Sequence, residues 1–287
     1  MDRPENETGK RGKGSMKKKK FPVFSLVILG LIILGCLFGK LLATGDPFYM
    51  NLTEVSLPPG GAHYFGTDTM GRDIYSMIWE GGRVSLYIGI LATVISSGIA
   101  IVYGCVSGLV PDPLDDLLMR FTEIILSIPS ILLVIFLQAL LGKATATSIA
   151  VVIGLTSWMN ISKVIRSEVR QIRSSDFVLA SRLAGGKFFY ILRKHLFPNF
   201  ISSTMFMIVT NVSAAIGTEA TLSFLGIGLP MEIISWGSMM SLSQKALLSN
   251  SWWIILIPGI FLVTTLVCIT NVGEYIRLRN NREHSNL

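Results

Sequence analysis

A basic stretch from Ser174 to Asn199 lies between two apolar segments, and its residue types suit docking of a partner protein. Ala180, Leu183 and Ala184 share one helical face, with Ser181 beside them and Asp176 at the start of the stretch. Gly185–Gly186 can end that helix; Phe188, Phe189 and Leu192 then resume the apolar face, and Pro198 closes the segment. Apolar side chains on a short loop between apolar spans call for a covering partner. The residues for other chemistries are missing from their patterns. No Gly-x-x-x-x-Gly-Lys-Ser/Thr occurs, so the chain has no phosphate-cradling loop of its own. Cys36, Cys105 and Cys268 fall inside apolar segments and read as packing residues, while His63, His195 and His284 are scattered, so no metal-ligand spacing appears. No nucleophile–base–acid grouping is visible. The expectation is a chain without a catalytic residue, a metal or a cofactor.

A second group runs from Tyr64 to Gly89. Gly66 and Gly71 permit tight turns. Asp68, Arg72 and Asp73 are close enough for local ion pairs, and Asp73 can cap the helix that follows. Gly81-Gly82 is expected to break that helix before Arg83. The stretch reads as a folded elbow at the membrane surface, with a contact surface for an extracellular substrate carrier as the alternative. Inside the apolar segments, Glu219, Asn211 and Asn160 are the candidates for a translocation path, because polar groups at bilayer depth face protein or water. Glu123 is placed to pair with Arg120. Gly98, Gly104 and Gly108 recur at a spacing that suits close helix packing.

These groups need helices in a membrane to position them. The 287 residues are 51% hydrophobic and only 15% charged, well below the roughly 25% charged of soluble domains. The net charge of +7 gathers in runs that abut apolar segments, which marks topogenic charge rather than nucleic-acid binding. A basic tail, 1–20, ends in Lys17 to Lys20 and suits anionic lipid. A first span covers 21–43; it is too long and lacks the cleavage site for a signal peptide. A loop over 44–82 carries acids and no lysine, so it lies outside. Further spans are expected at Val84–Val110, Leu114–Leu141 with a kink at Pro129, Ala146–Ile165, Asn199–Ser223 and Ser251–Val272. They form a five-helix core over 83–276, and the loop 166–198 lies inside it. The C-terminal tail, 277–287, carries Arg277, Arg279 and Arg282. The fold class is therefore all-α: a polytopic membrane protein with six spans and both termini cytoplasmic.

The basic loop resembles the docking loop of the membrane subunits of ATP-binding cassette (ABC) importers. Leu179-Ala180-Ser181, Gly185 and Leu196-Phe197-Pro198 fall on the positions of that pattern. Leu179 stands where the family has Glu, which puts one ion pair with the ATPase in doubt. The elbow is similar to the Phe-Gly-Thr-Asp-x-x-Gly-Arg-Asp-x-x-Ser signature of the C-type permeases of the dipeptide/oligopeptide/nickel importers. Phe65, Gly66, Thr67, Asp68, Gly71, Arg72, Asp73 and Ser76 match it, and Met77 replaces the usual Arg. Ala220 to Gly228 and Ser235 to Gly237 match further motifs of that family. The resemblance implies the type I importer permease fold with a cytoplasmic coupling helix. It also implies a heterodimer with a second permease, two ABC ATPases that bind ATP and magnesium, and an extracytoplasmic substrate-binding protein. Peptides are the implied cargo, with nickel or a metal–metallophore complex as the alternative. Outside the importers, a peptide-sensing receptor or scaffold and a passive channel share the six spans. A channel has no use for a docking surface.

Overall fold

The computed structural model describes residues 21–175, 178, 197–242 and 250–284. The basic tail and most of the docking stretch (Asp176, Ala180, Ser181, Leu183, Ala184, Gly185, Phe188, Phe189 and Leu192) lie outside the described residues. The described chain is helical, with one isolated β-bridge between Thr67 and Asp73. Helix α1 (Val23–Leu37) is followed after Phe38 by a single turn, α2 (Gly39–Leu42). Helix α3 (Ile74–Leu109) is the central post. Helices α4 (Asp112–Leu126) and α5 (Ser130–Leu141) form one bent pair. Helices α6 (Ala146–Thr156) and α7 (Met159–Arg173) form another. Helix α8 (Phe197–Phe224), the short α9 (Trp236–Ser241) and α10 (Trp253–His284) complete the bundle.

Three of these helices are long and apolar enough to cross a membrane, and five spans result if each bent pair counts as one. Helix α1 is shorter and apolar; α1 and α2 together cover residues 23–42, about 30 Å at 1.5 Å per residue, the thickness of a hydrocarbon core.

The spans differ from the expected ones in ways that have local causes. Helix α3 starts at Ile74, ten residues before Val84, and runs unbroken through Gly81 and Gly82. Those glycines serve packing instead of ending the helix. A Cβ on Gly82 would come within 2.5 Å of the Cys36 Sγ and the Trp236 ring, and one on Gly81 would press on the Ser235–Trp236 backbone at 3.2–3.3 Å. Pro129 does more than kink its span: α4 and α5 meet at 87°, because Pro removes a backbone donor and blocks the preceding turn. The next span bends by 42° between α6 and α7. There the Ser157 hydroxyl donates to the Ile153 carbonyl at 2.7 Å, a bond that competes with the helix ladder. Helix α7 then continues to Arg173, so Arg166, Arg170 and Arg173 are helical rather than part of a loop. The last helix likewise carries Arg277 and Arg279.

Lipid is as apolar as leucine, so helix association rests on close approach of small residues. Gly104 and Gly108 supply it between α3 and α7, where an added Cβ would meet the Ile165 and Val169 side chains at 2.7–2.9 Å. Gly98, grouped with them by spacing, has nothing within 4 Å and plays no such part. Gly89 lets α3 approach Ile216 of α8, and Gly154 lets α6 approach Ile95. Three apolar cores result. One at the elbow end of α3 centres on Trp236, Ile78 and Met77, a middle one on Ile88, Ile149 and Leu222, and one at the opposite end on Ile165, Val169 and Val178.

Candidate functional site

The elbow before α3 is built by its own motif. Gly66 and Gly71 take φ of +75° and +72°, where a side chain is strained, and a Cβ on Gly66 would also stand 2.5 Å from the Leu57 carbonyl oxygen. The Asp68 carboxylate is buried and accepts from Arg72 Nε at 2.7 Å and from the N–H groups of Met70 and Arg72. Thr67 Oγ1 accepts from the Leu57 N–H at 2.8 Å, and the Thr67 carbonyl accepts from Trp253 Nε1 at 3.2 Å, which straps the elbow to α10. Phe65 stacks edge-on against Tyr75. Asp73 caps α3 through the Ser76 N–H at 2.9 Å and also accepts from the Ser76 and Thr44 hydroxyls. His63 Nδ1 lies 3.0 Å from the other Asp73 oxygen, and its Nε2 lies 3.4 Å from Glu54. Its hydrogen bond to Asp73 outweighs burial and, with Glu54, raises the imidazole pKa above 6.5. Burial alone would lift the Asp73 carboxyl, but hydrogen bonds from Ser76, His63 and Thr44 hold it below the usual carboxylate range. The motif side chains thus face one another. Exposed aromatic surface comes from their neighbours Tyr64, Tyr49 and Phe48.

Glu219 is fully buried. Its Oε1 accepts from the Ser235 hydroxyl at 2.7 Å and the Ser223 hydroxyl at 2.9 Å, and its Oε2 from Ser85 at 3.4 Å. Each serine oxygen in turn accepts a backbone N–H, from Ser238, Leu229 and Trp236 respectively. The three separated motifs of the sequence therefore meet at one carboxylate that ties α3, α8 and α9 together. Gly237 makes room, since a Cβ there would stand 2.6 Å from the Ala220 Cα and 3.0 Å from Glu219 Oε1.

The end of the bundle away from the elbow carries a third buried acid, one that sequence reading passed over. Asp115 of α4 accepts from the Ser107 hydroxyl and from Arg170 Nη1, both at 2.5 Å, from Arg166 Nε at 2.6 Å, and from Arg166 Nη2. Arg170 also reaches Asp112 at 2.5 Å. Asp112 and Asp115 of α4 are thus neutralised by the arginines of α7. Glu123 pairs with Lys163 of α7 at 3.5 Å and not with Arg120, because α4 lays that face along α7. Val178, within the docking stretch, is fully buried in the same core as Val169.

Between α4–α5, α6–α7 and α8 lies an open groove of about 460 Å³. Asn160 and Asn211 line it; Glu219 does not. Thr156, Ser157, Thr210 and Thr218 join them on its wall. Thr210 and Thr218, with the small Ala214 midway between them, share one face of α8, and these two hydroxyls in an apolar span are the sequence signal for this wall. Among the described residues no charged side chain lines the groove, and no cluster of His, Cys, Asp or Glu is built to hold a metal.

Comparison with known proteins agrees with this architecture. Residues 100–281 match the family of binding-protein-dependent transport system inner membrane components, and residues 15–59 match the N-terminal TM domain of oligopeptide transport permease C. The chain is 35% identical over 259 residues to the dipeptide transport system permease protein DppC of Bacillus subtilis (strain 168), covering 90% of this chain and 81% of that protein. It is 35% identical over 261 residues to the oligopeptide transport system permease protein OppC of the same organism, covering 91% and 85%. The solved inward-facing MetNI methionine ABC transporter matches in fold, with a TM-score of 0.57 at 16% identity over 71% of this chain and 96% of that one.

Proposed function

The chain belongs to the family of binding-protein-dependent transport system inner membrane components, and from that premise we propose that it forms half of the path by which an ABC importer moves peptides. The observation that carries the reading is the chain-long likeness, at 35% identity, to two peptide permeases. The uncharged, hydrogen-bonding wall of the groove gives it a physical basis, because a path for cargo of varied sequence has to avoid fixed charge.

In this reading a second, different permease closes the groove. An extracytoplasmic binding protein delivers the peptide, and two cytoplasmic ATPases bind ATP and magnesium and do the hydrolysis. Both termini and the docking stretch are cytoplasmic. Residues Asp176, Ala180, Ser181, Leu183, Ala184, Gly185, Phe188, Phe189 and Leu192 seat on an ATPase, and Pro198 stands in the first turn of α8. Closure of the ATPase pair moves that seat, and Val178 carries the movement into α7. The Asp115 cluster passes it to α3 and α4, so the groove changes the side to which it opens. Two states have to differ in contact at the seat for any energy to be transmitted.

The test is reconstitution of the complete complex in vesicles with its binding protein. ATP-dependent accumulation of a labelled tripeptide is expected, with nickel left outside. Accumulation of nickel without any peptide would overturn the peptide reading. Single cysteines at Lys10, Lys187 and Arg279, in a background without the native cysteines, are expected to resist an impermeant thiol reagent applied to intact cells, while one at Thr53 reacts. Labelling at Lys187 from outside would reverse the topology.

A further inference from the structure

Four hydroxyls on the groove wall, those of Thr156, Ser157, Thr210 and Thr218, share a property beyond being uncharged: their protons are already committed. A Ser or Thr hydroxyl has one proton to donate and two lone pairs that accept. Thr156 donates to the Val152 and Ile153 carbonyls at 3.0 Å, and Ser157 donates to the Ile153 carbonyl at 2.7 Å. Thr210 donates to the Phe206 carbonyl at 2.9 Å, and Thr218 to the Ala214 carbonyl at 2.9 Å. Each proton points back along its own helix, which leaves lone pairs for anything in the groove.

Asn211 completes the pattern. Ser96 donates its only proton to the Thr93 carbonyl at 3.1 Å. The Asn211 amide nitrogen lies 2.8 Å from the Ser96 oxygen and donates to it. Asn211 Nδ2 also lies 3.4 Å from Thr93 Oγ1. Its donors are held by α3, and its carbonyl oxygen is left to accept. Ser130 and Asn160, both exposed, add groups that adapt to what binds.

We propose that this groove is a subsite for N–H donors, with Asn211 as its fixed acceptor, and that it takes the ammonium end and amide N–H groups of a peptide while disfavouring its carboxylate. Four committed hydroxyls and the Asn211 oxygen present lone pairs without a compensating cation, which favours a donor over an anion. Among the described residues that line the groove, a bare transition ion finds no imidazole, thiolate or carboxylate. The inference rests on the peptide reading above and adds which end of the cargo this half of the path recognises.

The experiment compares trialanine with N-acetyl-trialanine in the complete reconstituted complex. The binding protein is held saturated for each peptide, so that its own preference drops out. The unaltered complex is expected to move the free-amine peptide about tenfold faster, the effect of one charge-assisted hydrogen bond. Asn211→Leu, which removes the acceptor, is expected to collapse most of that ratio. Thr218→Val keeps the volume and is expected to lower the ratio by a smaller step, so it decides the matter if Asn211→Leu fails to assemble. Equal rates for both peptides in the unaltered complex, or a ratio untouched by the variants that assemble, would overturn the subsite while leaving peptide transport standing. No ATP-dependent movement of either peptide would overturn the function on which it rests, and the subsite with it.

Discussion

Replacing Asp115 by Ala tests whether the end of the bundle away from the elbow is held by one carboxylate. The Asp115 side chain is 1% exposed and serves two guanidinium groups and one hydroxyl. Removing one partner of a buried ion pair costs ~3–5 kcal/mol. Here the loss is smaller, because Arg166 and Arg170 are 24% and 35% exposed and water can resolvate them. Arg170 also keeps Asp112. About 2 kcal/mol is therefore expected for the opening of α3 and α4 from α7. Cys105 reports that opening, since it lies 7% exposed between the glycines that seat α3 on α7. In a variant lacking Cys36 and Cys268, modification of Cys105 by a membrane-permeant maleimide should accelerate about 30-fold on Asp115→Ala, the ratio that corresponds to 2 kcal/mol. Asp115→Asn should come close to it, because the amide N–H₂ faces guanidinium donors. Labelling within about threefold of the parent in either variant would refute the latch, and equal loss of label-free protein from the membrane would not imitate it.

Three further outcomes follow from the packing and the elbow. Glu219→Gln should leave uptake within about twofold, because a Gln oxygen in the Oε1 position keeps Ser223 and Ser235 and its nitrogen faces only Ser85; Glu219→Leu should deplete the protein from the membrane, and lost uptake in the Gln variant at full abundance would return Glu219 to the path. Gly104→Ala should destabilise the purified protein by roughly 1–3 kcal/mol of overpacking and lower its melting temperature, whereas Gly98→Ala, with open space around it, should leave stability unchanged or raise it by up to ~1 kcal/mol of helix propensity; a melting shift of the same sign in both would contradict the assigned contacts. The bond between His63 and Asp73 is fully present below the ordinary His value of 6.5 and is lost as pH rises through the raised value. The Asp73 contribution is present above the ordinary Asp value of 3.8 and is lost as pH falls through the lowered one. Proteolytic nicking near Gly60 and Gly61 should therefore be slowest at mildly acid pH and faster toward alkaline pH in the parent, and should lose that alkaline rise in His63→Gln.

Local chemistry was readable from the sequence. Asp73 caps α3, and Gly66 and Gly71 turn the elbow, because the groups involved lie within a few residues of one another. The polytopic helical fold was readable too, because an apolar run carries its own signal. What sequence could not give was the pairing of distant groups. Ser85 and Glu219 are 134 positions apart, and Asp115 and Arg166 are 51 apart. Composition alone therefore made Glu219 look like a lone charge at depth when it sits among three hydroxyls. Glycine spacing failed for a similar reason: Gly98 and Gly104 are alike as letters, and only the neighbouring helix separates them. Pro129 announced a kink but not its size, since the 87° turn depends on where α5 finds its partner α6.

The separation of Asp115 from its arginines also orders the birth of the protein. At about 5–20 residues per second, the ribosome needs about 3–10 s to add the 51 residues that lie between Asp115 and Arg166. During that interval α3 and α4 exist with Asp112 and Asp115 still without the arginines that pair with them. Asp115 gains those partners only when α7 packs beside α4. A nascent chain stopped before Arg166 consequently presents an acidic, unlatched hairpin, a mark by which a membrane protease could tell an unfinished subunit from a finished one.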